Sequence, residues 1–184
     1  MRLALILTSQ DRVKEVIDFI ESLIVNCKQI PNNHSVELYF IAQDKEFSFI
    51  EAGNYFDFPS CLNLIYIQTN KTSLSVARNT ALHEIYSNSE LPNLIGYPDD
   101  DCVYPKNLLQ KTIKWFSHRK VNSIGIGFDY PGCSACAGHY NRWGLLGKFI
   151  SFSVFTITIR DLYFDENLGV GARFGACEET DYLF

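Results

Sequence analysis

No long apolar run occurs in this chain of 184 residues. The apolar segment at residues 3–7 is too short for the hydrophobic region of a signal peptide, and polar residues follow it without a small-residue cleavage site. Since a transmembrane helix needs about 20 apolar residues, the sequence also predicts no integral membrane segment. We expect a cytoplasmic protein, and attachment at a membrane surface through a partner stays open.

Basic residues are too few and too scattered for a nucleic-acid binder. Lys and Arg total 16 against 21 Asp and Glu, which gives a formal net charge of -5. Proteins that hold a phosphate backbone cluster their Lys and Arg side chains, and no such cluster occurs in this sequence. A phosphorylated ligand would therefore have to arrive with a metal ion.

Signals for disulfides or a complete zinc site are also missing. The six cysteines, in a chain without an export signal, are expected to be free thiols. Cys133 and Cys136, with His139 three residues further on, offer half of a zinc site or a redox pair, but no second ligand pair follows at suitable spacing. A glycine-rich loop with incidental cysteines is the alternative.

What the sequence does contain is a repeated alternation of strand and helix patterns. Its length and its 47% hydrophobic residues suit one globular domain over residues 1–184, without a repeat or a linker. Periodicity predicts strands at residues 3–7, 36–42, 62–67, 121–127 and 149–159 and just before residue 99. It predicts helices at residues 13–24, 73–86 and 105–116. Residues 47–58 are predicted to be an irregular aromatic stretch, and residues 132–147 a glycine-rich loop.

This alternation predicts an α/β fold with a mostly parallel central sheet flanked by helices on both faces. Sheets of this class bind ligands beyond the carboxyl ends of their strands. Asp44, residues 70–71 and residues 99–101 all fall at such ends. We therefore expect the functional site among these residues.

Three adjacent carboxylates, Asp99, Asp100 and Asp101, follow the fourth predicted strand. Carboxylates that fold out of water need a cation or strong hydrogen-bond donors. On an extended backbone Asp99 and Asp101 would share one side and Asp100 would face the other, which makes an Asp-x-Asp clamp for Mg²⁺ or Mn²⁺. A solvated acidic turn after Pro98 is the alternative interpretation.

Three groups of residues together resemble a known family. They are residues 74–79 (Leu-Ser-Val-Ala-Arg-Asn), residues 97–101 (Tyr-Pro-Asp-Asp-Asp), and residues 164–169 (Phe-Asp-Glu-Asn-Leu-Gly) with residues 177–181 (Cys-Glu-Glu-Thr-Asp). In their order and spacing the sequence resembles family 2 glycosyltransferases of the GT-A fold over nearly its whole length. The resemblance implies a Rossmann-like domain that transfers a sugar, with inversion, from a UDP- or GDP-sugar to a hydroxyl of a saccharide or lipid-linked acceptor, in polysaccharide or glycoconjugate synthesis.

The resemblance also implies a metal site and its ligands. In the family the Asp-x-Asp motif (DXD motif) holds a Mn²⁺ or Mg²⁺ ion that bridges the donor's diphosphate, whose growing charge must be neutralised as the sugar leaves. On this basis Asp101 is the direct metal ligand, Asp99 a ligand or a ribose contact, and Asp100 a neighbouring nucleotide-site residue.

Further nucleotide contacts are implied at Thr8, Asp44 and Arg78. Arg78 would donate hydrogen bonds to the base or a phosphate, or else be a solvated helix residue. Thr8 would contact the base, or else be an ordinary strand end. Asp44 matches the acidic residue that follows the family's second strand, but the glycine and the first acid of the family's motif are missing around it, which leaves the nucleotide preference open.

A general base for the acceptor hydroxyl is implied near the end of the chain. A sugar hydroxyl becomes a good nucleophile only when a base removes its proton. Glu179 corresponds to the family's usual Asp and is the first candidate, with Glu178 second, whereas Asp181 is expected to favour the start of a helix. A plain acidic helix start is the alternative for the whole cluster. Gly169 and Gly171 would let a loop close over the donor.

The acceptor side is the least defined part of the sequence. Trp143 could stack on an acceptor sugar or serve in packing. Because the sequence stops shortly after the Glu pair, we expect either a shortened chain or a minimal catalytic domain. The alternative functions are a catalytically incomplete nucleotide-sugar binding domain and a nucleotidyltransferase, although residues 8–12 lack the glycine-rich basic loop that the latter requires.

Overall fold

A single mixed sheet forms the centre of the structure. The computed structural model describes residues 1–51, 55–118, 123–125, 154–176 and 178–182, with the backbone alone at 51, 123–125, 179 and 180. Within these residues the strands are β1 (Arg2–Ser9), β2 (Ser35–Ala42), β3 (Leu62–Gln68), β4 (Leu94–Gly96), β5 (Ser123–Gly125) and β6 (Val154–Ile157). The helices are α1 (Val13–Cys27), α2 (Ser48–Glu51), α3 (Leu74–Ser87), α4 (Leu108–His118) and α5 (Glu178–Tyr182).

The sheet is mostly parallel, as the sequence predicts. Its strand order is β3-β2-β1-β4-β6-β5, and the first four strands in this order run parallel. β6 pairs antiparallel with both β4 and β5. Every described connection between parallel neighbours carries a helix, which is the construction expected of an α/β fold.

β1 is buried on both faces because its alternate side chains enter two apolar layers. Leu5 packs in the layer that α1 and α4 cover, whereas Ile6 packs in the layer beneath α3. This is the period of two that a strand imposes on its side chains. Full burial of one such side chain contributes about 1.5–3 kcal/mol, so the apolar run at the start of the chain fixes β1 at the centre of the fold.

The strand order reverses between β1 and β4. The chain first builds β2 and β3 on one side of β1 and then crosses over to place β4 on the other side. Such a reversal opens a crevice at the carboxyl ends of the two strands, where open α/β sheets bind their ligands. The residues that follow these ends are residues 10–12 and residues 97–101.

Two local predictions differ from the structure. Residues 45–51 are helical, a 3-10 helix at Lys45–Phe47 followed by α2, because the Glu46 amide donates to Asp44 Oδ1 at 3.0 Å and caps this segment. The helix predicted from residue 105 begins only at Leu108, after a turn in which Asn107 has a positive φ of 65°.

Other predictions are tested in part. Of the strands predicted at residues 121–127 and 149–159, the described parts include β5 and β6. The glycine-rich loop at 132–147, with Cys133, Cys136 and His139, lies outside the described residues. Cys27, Cys61 and Cys102 are free thiols. Within the described ranges, no helix combines the length and apolar character that a bilayer crossing requires.

Candidate functional site

Polar side chains from β1 and β4 meet at the crevice where the strand order reverses. Ser9, the last residue of β1, is buried, and its Oγ donates to Asp100 Oδ2 at 2.6 Å. This contact ties the acidic segment after β4 to the carboxyl end of β1. The acidic triplet therefore lies next to the carboxyl end of a neighbouring strand, as the sequence predicts.

The acidic triplet forms a turn, and the predicted extended alternation is wrong. The Cys102 amide donates to the Asp99 carbonyl at 3.2 Å, so the chain reverses directly after β4 and Pro98. As a result Asp100 and Asp101 share one cation, Arg12, while Asp99 contacts Arg78. Within this turn, Asp99 therefore has a different arginine partner from the Asp100–Asp101 pair.

Arg12 holds that pair together. Its Nη1 donates to Asp100 Oδ1 at 3.1 Å and to Asp101 Oδ2 at 2.8 Å. The charge of Asp100 raises the pKa of Arg12, while burial raises the pKa of Asp100 against the opposing effects of Ser9 and Arg12. Sequence reasoning missed both Ser9 and Arg12. Their position at the end of a buried strand and just after it, at the same end as the triplet, is the signal that would have found them.

Arg78 is buried, with only 1% of its surface exposed, and is not the solvated helix residue of the alternative interpretation. Its Nη2 donates to Asp99 Oδ1 at 3.3 Å. The guanidinium also lies 5.7 Å from the ring centroid of Tyr97 and 5.3 Å from that of Phe164. Cation–π contacts of this kind fix the orientation of the group beside Asp99. A direct contact of Arg78 with a nucleotide stays a prediction.

Asn79, the neighbour of Arg78, binds the segment that leads to the terminal acidic cluster. Its side-chain amide accepts from the Phe164 amide at 2.9 Å and donates to the Phe164 carbonyl at 3.0 Å. A further bond runs from Asn79 Nδ2 to Glu166 Oε1 at 3.1 Å. The Arg-Asn pair of α3 thus connects the acidic turn on one side with residues 164–166 on the other.

The terminal helix α5 packs against the same aromatic group. Tyr182 stacks on Phe164 with ring centroids 4.1 Å apart, and the Tyr97 hydroxyl donates to the Tyr182 hydroxyl. Because Phe164 also contacts Arg78, a continuous series of contacts joins the acidic turn to α5. A common site for the acidic turn and the terminal Glu pair stays a prediction.

Glu178 is buried at the start of α5, with 4% of its surface exposed. A Cβ built on Gly169 would lie 2.9 Å from Ser75 Oγ and 3.1 Å from Glu178 Cδ, so Glu178 approaches the backbone of the 168–171 loop closely. The side chain of Glu179 lies outside the described residues, and its assignment as the base stays a prediction. Trp143 also lies outside them.

The remaining predicted nucleotide contacts lie at neighbouring strand ends. Thr8 is half-buried in β1, next to Ser9. Asp44 follows β2 and is also half-buried, and its Oδ1 serves as the cap of the 3-10 helix. Gln43, which the sequence did not single out, accepts from the Thr72 amide at 2.7 Å and so holds the segment before α3 close to these ends.

The carboxylates of the turn suit a hard divalent cation, because carboxylate oxygens are the ligands that Mg²⁺ and Mn²⁺ prefer. Among the described residues no group of three His, Cys, Asp or Glu side chains forms a complete metal site. Asp101 and Asp99 are the reachable carboxylates, with 56% and 32% of their side chains exposed against 15% for Asp100.

Cys102 is a protonated thiol in the metal-free protein at neutral pH. Burial, reinforced by the charges of Asp99 and Asp101, raises the pKa of its thiol to about 12.

Solved structures with the same fold include a protein in complex with UDP-GlcNAc and a mannosyltransferase. Residues 1–349 of S. aureus TarS match with a TM-score of 0.71 and 17% identity over 99% of this chain and 54% of theirs. The complex of that protein with UDP-GlcNAc matches with a TM-score of 0.68 and 18% identity, covering 100% of this chain and 54% of the other. The mannosyltransferase PcManGT from Pyrobaculum calidifontis, in complex with GDP-Man and Mn²⁺, matches with a TM-score of 0.61 and 15% identity over 92% and 49%.

The fold is GT-A. Identities this low establish the fold alone, and the chain spans about half the length of the solved structures it matches. No protein-family model and no curated protein sequence matches the chain. In this fold the acidic turn lies beside Ser9 at the end of β1 and contacts Arg78 of α3.

Proposed function

We propose that this chain is the catalytic domain of an inverting, metal-dependent glycosyltransferase related to family 2. The observation that carries the proposal is the acidic turn at the reversal of strand order, bound to Ser9 of β1 and to Arg78 of α3. This is the location where open α/β sheets bind nucleotides. Support also comes from the fold, which is shared with proteins solved with UDP-GlcNAc and with GDP-Man.

In this proposal the donor is a UDP- or GDP-sugar that lies across the carboxyl ends of β2, β1 and β4. Thr8 and Asp44 contact the base and ribose, and Arg78 and Asp100 keep the acidic turn in position. Asp101 and Asp99 hold a Mn²⁺ or Mg²⁺ ion, which when bound neutralises charge on the departing diphosphate. The exposure of Asp101 supports its assignment as the first ligand.

The acceptor hydroxyl is deprotonated by Glu179. Glu178 is packed beneath the 168–171 loop, and this burial suits a role in positioning α5 better than contact with an incoming acceptor. Trp143 supplies a stacking surface for an acceptor sugar. The setting is polysaccharide or glycoconjugate synthesis, with a saccharide or lipid-linked acceptor.

A nucleotide-sugar binding domain without transferase activity is the second candidate. This candidate needs only the donor side of the site, which the contacts of the acidic turn with Ser9 and Arg78 support. The two functions differ in one observable, because both bind the donor but only the enzyme transfers its sugar.

Donor binding and transfer are measured separately to test the proposal. Calorimetric titration of UDP-GlcNAc, UDP-glucose and GDP-mannose, with Mn²⁺ or with EDTA, is expected to reveal metal-dependent binding of one of them, and release of UDP or GDP with an acceptor panel then reports transfer. Glu179→Gln is expected to keep donor binding and to lower turnover by about 10²-fold or more. Asp181→Asn, an exposed change in the same helix, should leave both unchanged.

The outcomes distinguish the candidates. Failure of all three donors to bind in the presence of Mn²⁺ would overturn the proposed function. Binding without transfer to any acceptor would favour the binding domain. Transfer of a nucleotidyl group to a sugar phosphate would identify a nucleotidyltransferase instead.

A further inference from the structure

Arg12 occupies the position that a metal ion would need on the acidic turn. One nitrogen, Nη1, lies within 3.1 Å of an oxygen of Asp100 and within 2.8 Å of an oxygen of Asp101. The second oxygen of Asp100 already accepts from Ser9 at 2.6 Å. A cation that binds Asp101 in the apoprotein therefore meets a guanidinium that is already bridging the pair.

The formal charges of the turn also favour competition between Arg12 and a metal ion. Among the described residues, Arg12 pairs with Asp100 and Asp101, and Arg78 pairs with Asp99. A hard divalent cation binds more tightly as the number of charged oxygen ligands rises. Without Arg12 the same turn would present one more formal negative charge to an incoming ion.

Of the two guanidinium groups, that of Arg12 is also the one that can move away from the turn. Its side chain is 50% exposed and belongs to the residue that precedes α1, whereas Arg78 is 1% exposed beneath two aromatic rings. Moving an exposed guanidinium into water costs little compared with moving a buried one. Displacement of Arg12 thus opens the turn without disturbing the core.

We propose that Arg12 is a resident counter-ion that competes with the divalent cation for Asp101 and keeps the metal affinity of the ligand-free protein low. This inference rests on the proposed metal-dependent function. Arg12 occupies the pair in the absence of donor, and a metal ion binds Asp101 only as the guanidinium departs. The departing guanidinium lies at the carboxyl ends of the strands, where a donor diphosphate offers it a new partner.

The test is the dissociation constant of Mn²⁺ in the absence of nucleotide, measured from the electron paramagnetic resonance signal of the free ion. Arg12→Ala is expected to tighten Mn²⁺ binding by roughly fivefold to tenfold, and Arg12→Lys by less, because exposed ion pairs are individually weak and screened by salt. The difference should shrink as the salt concentration rises.

Arg2→Ala provides a matched control. Arg2 also bridges two acids, Glu37 at 3.2 Å and Glu90 at 3.5 Å, but it does so at the opposite end of β1. Its removal changes the net charge by the same amount and is expected to shift Mn²⁺ affinity by less than about twofold. Thermal unfolding of each variant checks that the fold is intact.

Three outcomes would overturn the inference: equal Mn²⁺ affinity in Arg12→Ala and wild type, equal tightening in Arg2→Ala, or no Mn²⁺ binding to any variant. Donor binding and sugar transfer in the presence of Mn²⁺ are separate measurements. A failure of the counter-ion inference therefore leaves the test of sugar transfer unaffected, and a protein that binds Mn²⁺ as expected but no nucleotide-sugar would refute the proposed function alone.

Discussion

Asp99, Asp100 and Asp101 are chemically identical side chains that the fold places in three different surroundings. Asp99 is partly exposed beside the buried Arg78, Asp100 is mostly buried between Ser9 and Arg12, and Asp101 is mostly exposed. Burial disfavours the charged form of Asp100, so its carboxylate depends on its two donors. Of the three side chains, Asp101 is the most exposed.

Replacement of Asp101 by Asn is expected to remove metal-dependent turnover without unfolding the protein. The change preserves size and removes the charge that would hold the ion, and loss of a group that stabilises transition-state charge typically lowers turnover by about 10²-fold to 10³-fold. Turnover with a saturating donor at several Mn²⁺ concentrations checks this expectation. Asp18→Asn, an exposed change on α1, is the control and should retain full activity. Unchanged Mn²⁺ dependence in Asp101→Asn would exclude Asp101 as the ligand.

The sequence predicts that these residues lie at a strand end, but it does not predict which arginine each of them contacts. Asp99 to Asp101 follow an apolar segment, and this pattern alone predicts a site at a strand end. The division between Arg12 and Arg78 depends on a turn closed by the Cys102 amide, and neither this turn nor the burial of Arg78 leaves a periodic signal. Long-range partners of a charged residue become visible only when the strands are placed side by side.

At the scale of elements, the segment between residues 164 and 171 is fastened to the start of α3. Asn79 brackets the backbone of Phe164, Ser75 Oγ donates to the Leu168 carbonyl at 2.6 Å, and the Leu74 amide donates to the Val170 carbonyl at 3.0 Å. These bonds satisfy backbone groups of a loop and of a helix start at the same time. The loop thereby sets the position at which α5 begins.

Gly169 makes this docking possible. It has a positive φ of 98°, and an added Cβ would meet Ser75 Oγ at 2.9 Å and Glu178 Cδ at 3.1 Å. Gly169→Ala is therefore expected to lower the free energy of unfolding by about 1–3 kcal/mol, measured by urea titration, and to speed hydrogen exchange in residues 164–171. Gly175→Ala, where nothing lies within 4 Å of the added atom, is the control and should change either measurement little. Equal effects of the two changes would contradict this account of the loop.

Elements with a strong periodic pattern are predicted well, and those that depend on a cap are not. The apolar run of β1 and the helical spacing in α1 identify these elements because burial alone determines them. Residues 45–51 become helical through the side chain of Asp44, and α4 begins late because Asn107 adopts a positive φ. A pattern of hydrophobic residues carries no information about such local hydrogen bonds and dihedral angles.

At the scale of the whole molecule, two apolar layers enclose the sheet and differ in what they contain. The layer beneath α3 includes Tyr97, Phe164 and Tyr182 and extends to the functional crevice. The layer beneath α1 and α4 includes Cys27 and lies away from the terminal helix. The sequence predicts both layers from the alternation of strand and helix patterns, but the strand order that brings β4 beside β1 follows from topology rather than from any single segment.

The second layer predicts how the stability of the whole protein depends on alkaline pH. Burial, reinforced by Cys61, raises the pKa of Cys27 from 9.0 to about 12. Above pH 9 the unfolded chain releases this proton while the folded chain keeps it, so the group's contribution to stability is complete below pH 9 and is lost as pH rises towards about 12. The expected loss is at most about 1.4 kcal/mol per pH unit.

Cys27→Ala tests this dependence because it removes the titrating thiol from the core. Urea unfolding at pH 8, 9, 10 and 11 is expected to give a lower free energy at pH 8, owing to lost packing, but a shallower decline above pH 9. Val36→Ala, in the same apolar layer, loses packing without removing a titrating group and should therefore decline as steeply as the wild type. The buried Tyr97 and Tyr104, whose pKa values burial also raises, contribute equally to all three proteins and cancel in the comparison. Parallel curves for Cys27→Ala and wild type would show that the thiol does not couple folding to pH.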